Sequence, residues 1–227
     1  MRIAIDGPAG VGKSTIGERL ARRLGALFVD TGAFYRTLTH LALAEGIAPD
    51  DADALTDLAR RMRITIVPPT VTDADGRQYT VLVDGEDVTP RLRTPAVDAN
   101  VSRMSSPAAV RETLVARMRE MAASHPVVMV GRDIGTVVLP DADLKIFLTT
   151  SIEERAKRRH GDLVAKYGAA SPSLEDVRRE IAQRDALDMP HMRVAGDAVT
   201  LNNDHLEADE VVERILQLIG ARRAGIA

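Results

Sequence analysis

The sequence predicts an α/β fold, a parallel sheet covered by helices on both faces. Short β-rich apolar runs stand at 2–5 (RIAI), 27–29 (LFV), 127–130 (VVMV), 144–148 (LKIFL) and 198–201 (AVTL). Longer stretches of helical pattern separate them, and that alternation is the mark of a buried parallel sheet. With 227 residues the chain can bury one substantial core, so one body with an insertion is expected.

Taken in order, the first run leads into a helix carried by Ile16, Leu20 and Leu24 and ended by Gly25. A second helix is opened by Ser106-Pro107 and carries Val110, Leu114, Met118 and Met121 on one face. Ser151 with Glu154 and Ser173 with Asp176 read as capping pairs at two further helix starts. Two intervals break the rhythm. Between 64 and 89, RITIVPP, TDADG and QYTVLVDGEDVT combine strand alternation with Asp-Gly turn chemistry, which predicts small antiparallel hairpins inserted into the α/β body. Between 160 and 172, HGDLVAKYGAASP carries glycine and serine between two arginine-rich helical segments, the texture of a mobile lid.

Composition narrows the function classes. A formal net charge of −3 argues against a protein that blankets nucleic acid, and 3% aromatics without tryptophan leave few stacking platforms for single strands. The chain has no cysteine, so it offers no disulfide framework, thiolate metal site or cysteine nucleophile. The first strand is expected to begin at Arg2, leaving no room for a signal segment, and no run reaches bilayer length, so a cytoplasmic protein without membrane partners is expected.

The residues Gly7, Pro8, Ala9, Gly10, Val11, Gly12, Lys13, Ser14 and Thr15 spell GPAGVGKST, a complete GxxxxGK[ST] between a strand and an amphipathic helix. Glycines let the backbone curl until several N–H groups face one anion, and the helix presents its positive end to the same place. Lys13 is expected to bridge β- and γ-phosphates and the Ser14 hydroxyl to ligate the Mg²⁺ carried by ATP. The sequence has no NKxD-type base-reading phrase and no apolar strand ending in a DxxG switch, and the size suits no ATP-driven motor, which leaves a small-molecule phosphotransferase. Such an enzyme must hold a second phosphate beside the first, and guanidinium groups do this bidentately. Arg36 follows the second strand and Arg132 the third, both strands being expected to flank the P-loop strand. Arg111 opens a helix, Arg155, Arg158 and Arg159 flank the lid, and Arg184 and Arg193 lie beyond it.

At IDGPAGVGKST, DTGAFYR, DGEDVT with LRTPAVDANVS, VRETL, GRDIGTVVLPDADLKIFL and QRDALD, the sequence resembles bacterial-type cytidylate kinases, nucleoside monophosphate kinases of the P-loop class. The resemblance spans almost the whole chain, and GRDIGTVV with DGEDVT separates it from adenylate, shikimate and thymidylate kinases. It implies a three-layer P-loop NTPase fold with a five-stranded parallel sheet, a lid and a small antiparallel β insertion in the monophosphate-binding region. One kinase domain results: a core over about 1–31, 105–155 and 185–227, a monophosphate-binding region over about 32–104 with the insertion at 64–89, and a lid over about 156–184. It further implies a monomer acting on ATP and CMP or dCMP with Mg²⁺.

Position by position, the resemblance assigns Thr31, Ser102, Arg111 and Asp133 to the cytosine and ribose end. Arg36 and Arg132 go to the acceptor phosphate, Arg184 and Asp188 to the RDxxD phrase after the lid with the aspartate on the ribose, and Arg158 to ATP. Lys13, Arg132 and Arg184 are its candidate catalytic cations. Thr31 also suits a helix cap, Ser102 a backbone-satisfying role, and Arg184 with Asp188 an ordinary i,i+4 pair.

Two departures stand out. The residue before GRD, acidic in the family, is Val130, with Asp30 or Asp133 as possible substitutes; Asp6 reads as a neighbour of Lys13 rather than a base. After RDALD the chain runs MPHMRVAGDA, where Arg193 is the candidate for an arginine the family places earlier. His40, His125, His160, His191 and His205 show no metal-ligand spacing. A kinase for UMP or another small acceptor, and a non-catalytic nucleotide-binding regulator, remain as alternatives.

Overall fold

The computed structural model describes residues 1–69, 75–189 and 192–224, so the TDADG turn is covered only from Asp75 and His191 lies outside the described residues. The chain divides into two compact units, Met1–Leu24 with Val128–Ala227, and Gly25–Val127.

The first unit is built on β1 (Arg2–Asp6), β7 (Leu144–Thr149) and β8 (Val199–Asn202), with β6 (Val127–Gly131) starting at its boundary. Ile3, Ala4, Ile5 and Val127 through Val130 are almost wholly excluded from solvent, as strands covered on both faces require. Strand β1 runs parallel to β7 in the register Ile3 to Leu144, and β7 parallel to β8 with Ile146 opposite Val199. Helix α1 (Lys13–Leu24) buries Ile16 and Leu20, and Gly25 ends it in the left-handed conformation (φ 60°) that favours glycine.

The five-stranded sheet has the order β2-β6-β1-β7-β8, with β2 spanning Leu27–Asp30. Here the expectation for Arg36 is corrected. The P-loop strand lies between β6 and β7, so Arg132 follows a direct neighbour of β1, whereas Arg36 follows the edge strand. A right-handed crossover leaves room for a later strand to slot in, and apolar periodicity carries no information about that order.

In the second unit, β3 (Ile64–Val67), β4 (Thr80–Val83) and β5 (Glu86–Asp87) form the small antiparallel sheet expected for the insertion. Strands β4 and β5 are joined by Asp84 (φ 49°) and Gly85 (φ 87°), the pair of positive φ values that a two-residue hairpin turn demands. Around it stand α2 (Gly32–Ala44), α3 (Ala52–Arg61), α4 (Pro95–Met104) and α5 (Ala108–Ser124). On α5, Val110, Leu114 and Met118 are fully buried and Met121 half-buried.

The segment at 160–172, with the texture of a mobile lid, is mostly helix. Helix α6 (Ile152–Tyr167) continues through Gly161, a short 3-10 turn occupies Gly168–Ala170, and α7 (Leu174–Asp188) follows. A mid-helix glycine costs only about 1 kcal/mol. Packing of α6 on α7 through Ala156, Val177 and Ile181, with Ile152 and Leu163 alongside, outweighs it. Ser151 and Ser173 cap these helices, accepting from the N–H of Glu154 and Asp176. Helix α8 (Ala208–Arg223) completes the unit against α1.

Candidate active site

In the first unit the loop after β1 turns through Gly7 (φ 149°), Gly10 (φ 77°) and Gly12 (φ 87°) before α1 begins at Lys13. A Cβ on Gly7 would stand 2.4 Å from the Leu148 carbonyl oxygen, so the loop starts against β7 with no room for a side chain.

The loop carbonyls are tied back one after another. Lys13 Nζ donates to Gly7 O (2.7 Å) and Pro8 O (2.6 Å), Arg132 to Gly7 O (3.1 Å), Arg155 to Ala9 O (2.9 Å) and Asn203 Nδ2 to Val11 O (2.8 Å). In a planar trans peptide C=O and the following N–H point in opposite directions, so holding the carbonyls outward turns the N–H groups of Ala9, Gly10 and Gly12 the other way. Together with the start of α1 they make an anion cradle.

Arg132 follows β6 at the carboxyl end of the sheet. Its Nε and its NH2 nitrogen both reach Asp188 Oδ2, at 2.9 and 2.8 Å. Arg184, one turn back from Asp188 on α7, stands 3.8 Å from the same oxygen and is half-exposed. The phrase QRDALD therefore places Arg184 and Asp188 on one helix face with Arg132 beside them. Arg158 pairs with Glu154 (3.1 Å) and donates to Asn203 O (2.9 Å). Arg193 is exposed in the segment before β8.

GRDIGTVV forms one π-helical turn over Ile134–Val138, and Asp133 at its start accepts from Val137 and Val138 through its carbonyl. Asp6 is buried beneath it. Its two oxygens accept the N–H groups of Ile134 and Gly135, both at 2.7 Å. Burial pushes the Asp6 carboxyl above the ordinary carboxylate range, while the two N–H bonds and the charge of Lys13 pull it back. With both oxygens so engaged, Asp6 holds the π-turn to β1. Val130 is buried in β6, so no carboxylate enters from that position. Among the described residues no group of three or more His, Asp or Glu side chains gathers as a metal cluster. Ser14 places a hydroxyl on the first turn of α1, a donor of the kind a Mg²⁺ carried by phosphate could use.

In the second unit, Thr31 is buried and precedes α2, but its side chain does not cap the helix; Asp30 Oδ1 accepts the Gly32 N–H instead (3.0 Å). Arg36 donates to Leu92 O (3.1 Å) and Asp98 Oδ1 (2.5 Å). Arg111 lies over the Tyr35 ring, 5.5 Å from its centroid, and Ser102 is exposed on α4. Beside them Tyr79 is buried against Phe28 (centroids 5.9 Å apart) and near Arg93 and Asp30. Burial, with the Asp30 charge, pushes the Tyr79 phenol up to about 12.

Sequence reasoning missed Asn203 and Asp185. Asn203 directly follows the last strand, and the rule that ligands gather at carboxyl ends of parallel strands points to it as it did to Arg132. Asp185 lies inside QRDALD, a phrase whose RDxxD spacing points to Arg184 and Asp188 instead.

Sheet, glycine loop and converging arginines define a small P-loop kinase. The cytidylate kinase family model matches residues 3–221, and the chain belongs to that family. It is 47% identical over 218 residues to the cytidylate kinase of Herpetosiphon aurantiacus, covering 96% of this chain and 93% of that protein. With the cytidylate kinase of Chloroflexus aggregans it shares 49% over 214 residues, 94% and 91% of the two chains. Among solved structures, TT1252 from Thermus thermophilus has the same fold, with a TM-score of 0.51 at 19% identity over 98% of this chain and 97% of that one. No described helix is long and apolar enough to cross a membrane.

Proposed function

We propose that the protein transfers the γ-phosphate of ATP to CMP or dCMP, giving ADP and CDP or dCDP. The observation that carries this reading is the glycine loop with its carbonyls turned outward, in a chain matched to the cytidylate kinase family over residues 3–221. The cradle takes the ATP phosphates, and Lys13 leaves its two carbonyl partners for the β- and γ-phosphates. Ser14 would hold, from the protein side, a Mg²⁺ arriving with ATP, which would supply charge neutralisation for the phosphates. Arg36 and Arg132 take the acceptor phosphate; Thr31, Ser102, Arg111 and Asp133 take its base and sugar; Arg184 and Asp188 serve the acceptor from α7, and Arg158 serves ATP from α6.

An acceptor phosphate is already ionised at neutral pH, so its oxygen attacks the γ-phosphorus without a protein base, and the bond to the bridging oxygen of ADP breaks as the new bond forms. The protein contributes alignment and positive charge. The helical hairpin α6–α7 is the lid, which excludes competing water. The test is ADP release with CMP, dCMP, UMP, AMP and no acceptor. Turnover dependent on CMP or dCMP is expected; tight ATP binding without acceptor-dependent turnover refutes it in favour of a regulator.

A further inference from the structure

Helix α7 carries a carboxylate where its buried stripe should continue. Val177 and Ile181 face α6 in the core, and the next residue at helical spacing is Asp185. Its two oxygens accept a bidentate pair from Arg155, at 2.9 and 2.6 Å. The Arg155 side chain is only 6% exposed, its stem lies under Gly10, and the nitrogen that meets Asp185 Oδ1 also donates to Ala9 O at 2.9 Å. Among the described residues its Nε is buried without a partner, so Asp185 and one carbonyl hold the guanidinium.

From this geometry we infer that Asp185 is a positioning residue for the ATP site, aiming the Gly10 N–H into the phosphate cradle through Arg155 and the Ala9 carbonyl. The Ala9–Gly10 peptide is planar, so the grip on its oxygen decides where its hydrogen points. A neutral or misdirected partner at 185 frees Arg155 to turn, and a glycine-flanked peptide has little else to resist rotation. Asp188, three residues on, makes the parallel connection through Arg132 to Gly7 O, so the final turns of α7 reach two loop carbonyls by the same carboxylate–arginine–carbonyl route. Nucleotide affinity is thereby coupled to the seating of α7. The inference rests on the loop being the ATP site, as proposed above.

The experiment is ATP and ADP binding by titration calorimetry, with steady-state kinetics, on Asp185→Asn. Its expected effect is a rise of about tenfold in nucleotide Kd and in KM for ATP, the scale of one charge-assisted hydrogen bond, with KM for CMP within about twofold of wild type. A buried cation left half-paired also threatens folding. The double variant Arg155→Met with Asp185→Asn removes that threat, and it should recover thermal stability while still binding ATP about tenfold more weakly. Wild-type ATP affinity in the double variant, or equal rises in both KM values for Asp185→Asn, overturns the inference. Failure of the wild-type protein to bind ATP at all would instead overturn the reading of the loop.

Discussion

Replacing Gly7 by alanine tests how tightly the phosphate loop is built. At φ 149° an L side chain is strained, and its Cβ would stand 2.4 Å from Leu148 O and 3.3 Å from Leu148 C. A sparsely populated backbone region costs about 1–3 kcal/mol, and overpacking against rigid neighbours costs about 1–3 more. The sum, roughly 2–6 kcal/mol, is large beside total stabilities of about 5–15. At about 2–4 °C per kcal/mol for a chain of this length, Tm should fall by roughly 4–24 °C. The matched control is Gly25→Ala. Its φ is also positive, at 60°, but nothing lies within 4 Å of the added Cβ, so about 1–2 kcal/mol of left-handed strain is all it should cost. Relief in Gly7→Ala comes only by moving the loop away from β7, which misdirects the cradle, so ATP affinity should fall more than tenfold where Gly25→Ala leaves it unchanged. Calorimetric melting and ATP titration of both variants decide the matter. Equal melting points, or unaltered ATP affinity in Gly7→Ala, would refute the steric argument.

Lys13→Ala should reduce CMP-dependent ADP release to background while far-ultraviolet circular dichroism keeps its wild-type shape, and Arg132→Ala should raise KM for CMP by at least tenfold; wild-type turnover in either removes that residue from the mechanism. The phenol of Tyr79, raised to about 12, stays protonated in the folded chain above the pH at which an unfolded phenol ionises. The folded state then binds more protons than the unfolded one, so stability falls as pH rises from about 10 to 12, by about 3 kcal/mol. Tyr79→Phe should flatten that decline in a series of melts at rising pH. Unchanged slopes would place the phenol in water.

Much of the architecture was legible in the residues themselves. Five apolar runs became the five strands of the main sheet because each is short, continuous and bounded by a helix signal, and Asp84-Gly85 became a hairpin turn because few other pairs accept two positive φ values. The loop was legible because its function demands glycines at fixed intervals. Less legible was the segment at 160–172, where Gly161 and Gly168 look alike in text. One is absorbed into α6 by packing against α7, and the other ends it with φ 58°. Asp30 takes the helix-start bond that Thr31 also suited for a similar reason, since either short polar side chain suits a helix start and only the local backbone chooses.

Taken alone, the sequence determined what depends on neighbours along the chain: strand and helix periods, caps, the glycine curl, the presence of Lys13 and Ser14 at the opening of α1. Tertiary structure alone decided the strand order that puts β6 beside β1, the pairing of Arg155 with Asp185 across 30 residues, and the reach of Asn203 to Val11 across 192. The reason is physical. Local geometry is dictated by torsions and hydrogen bonds within a few residues, whereas a buried charge or amide takes whichever partner the folded layers bring within 3 Å, and that partner has no fixed distance along the chain.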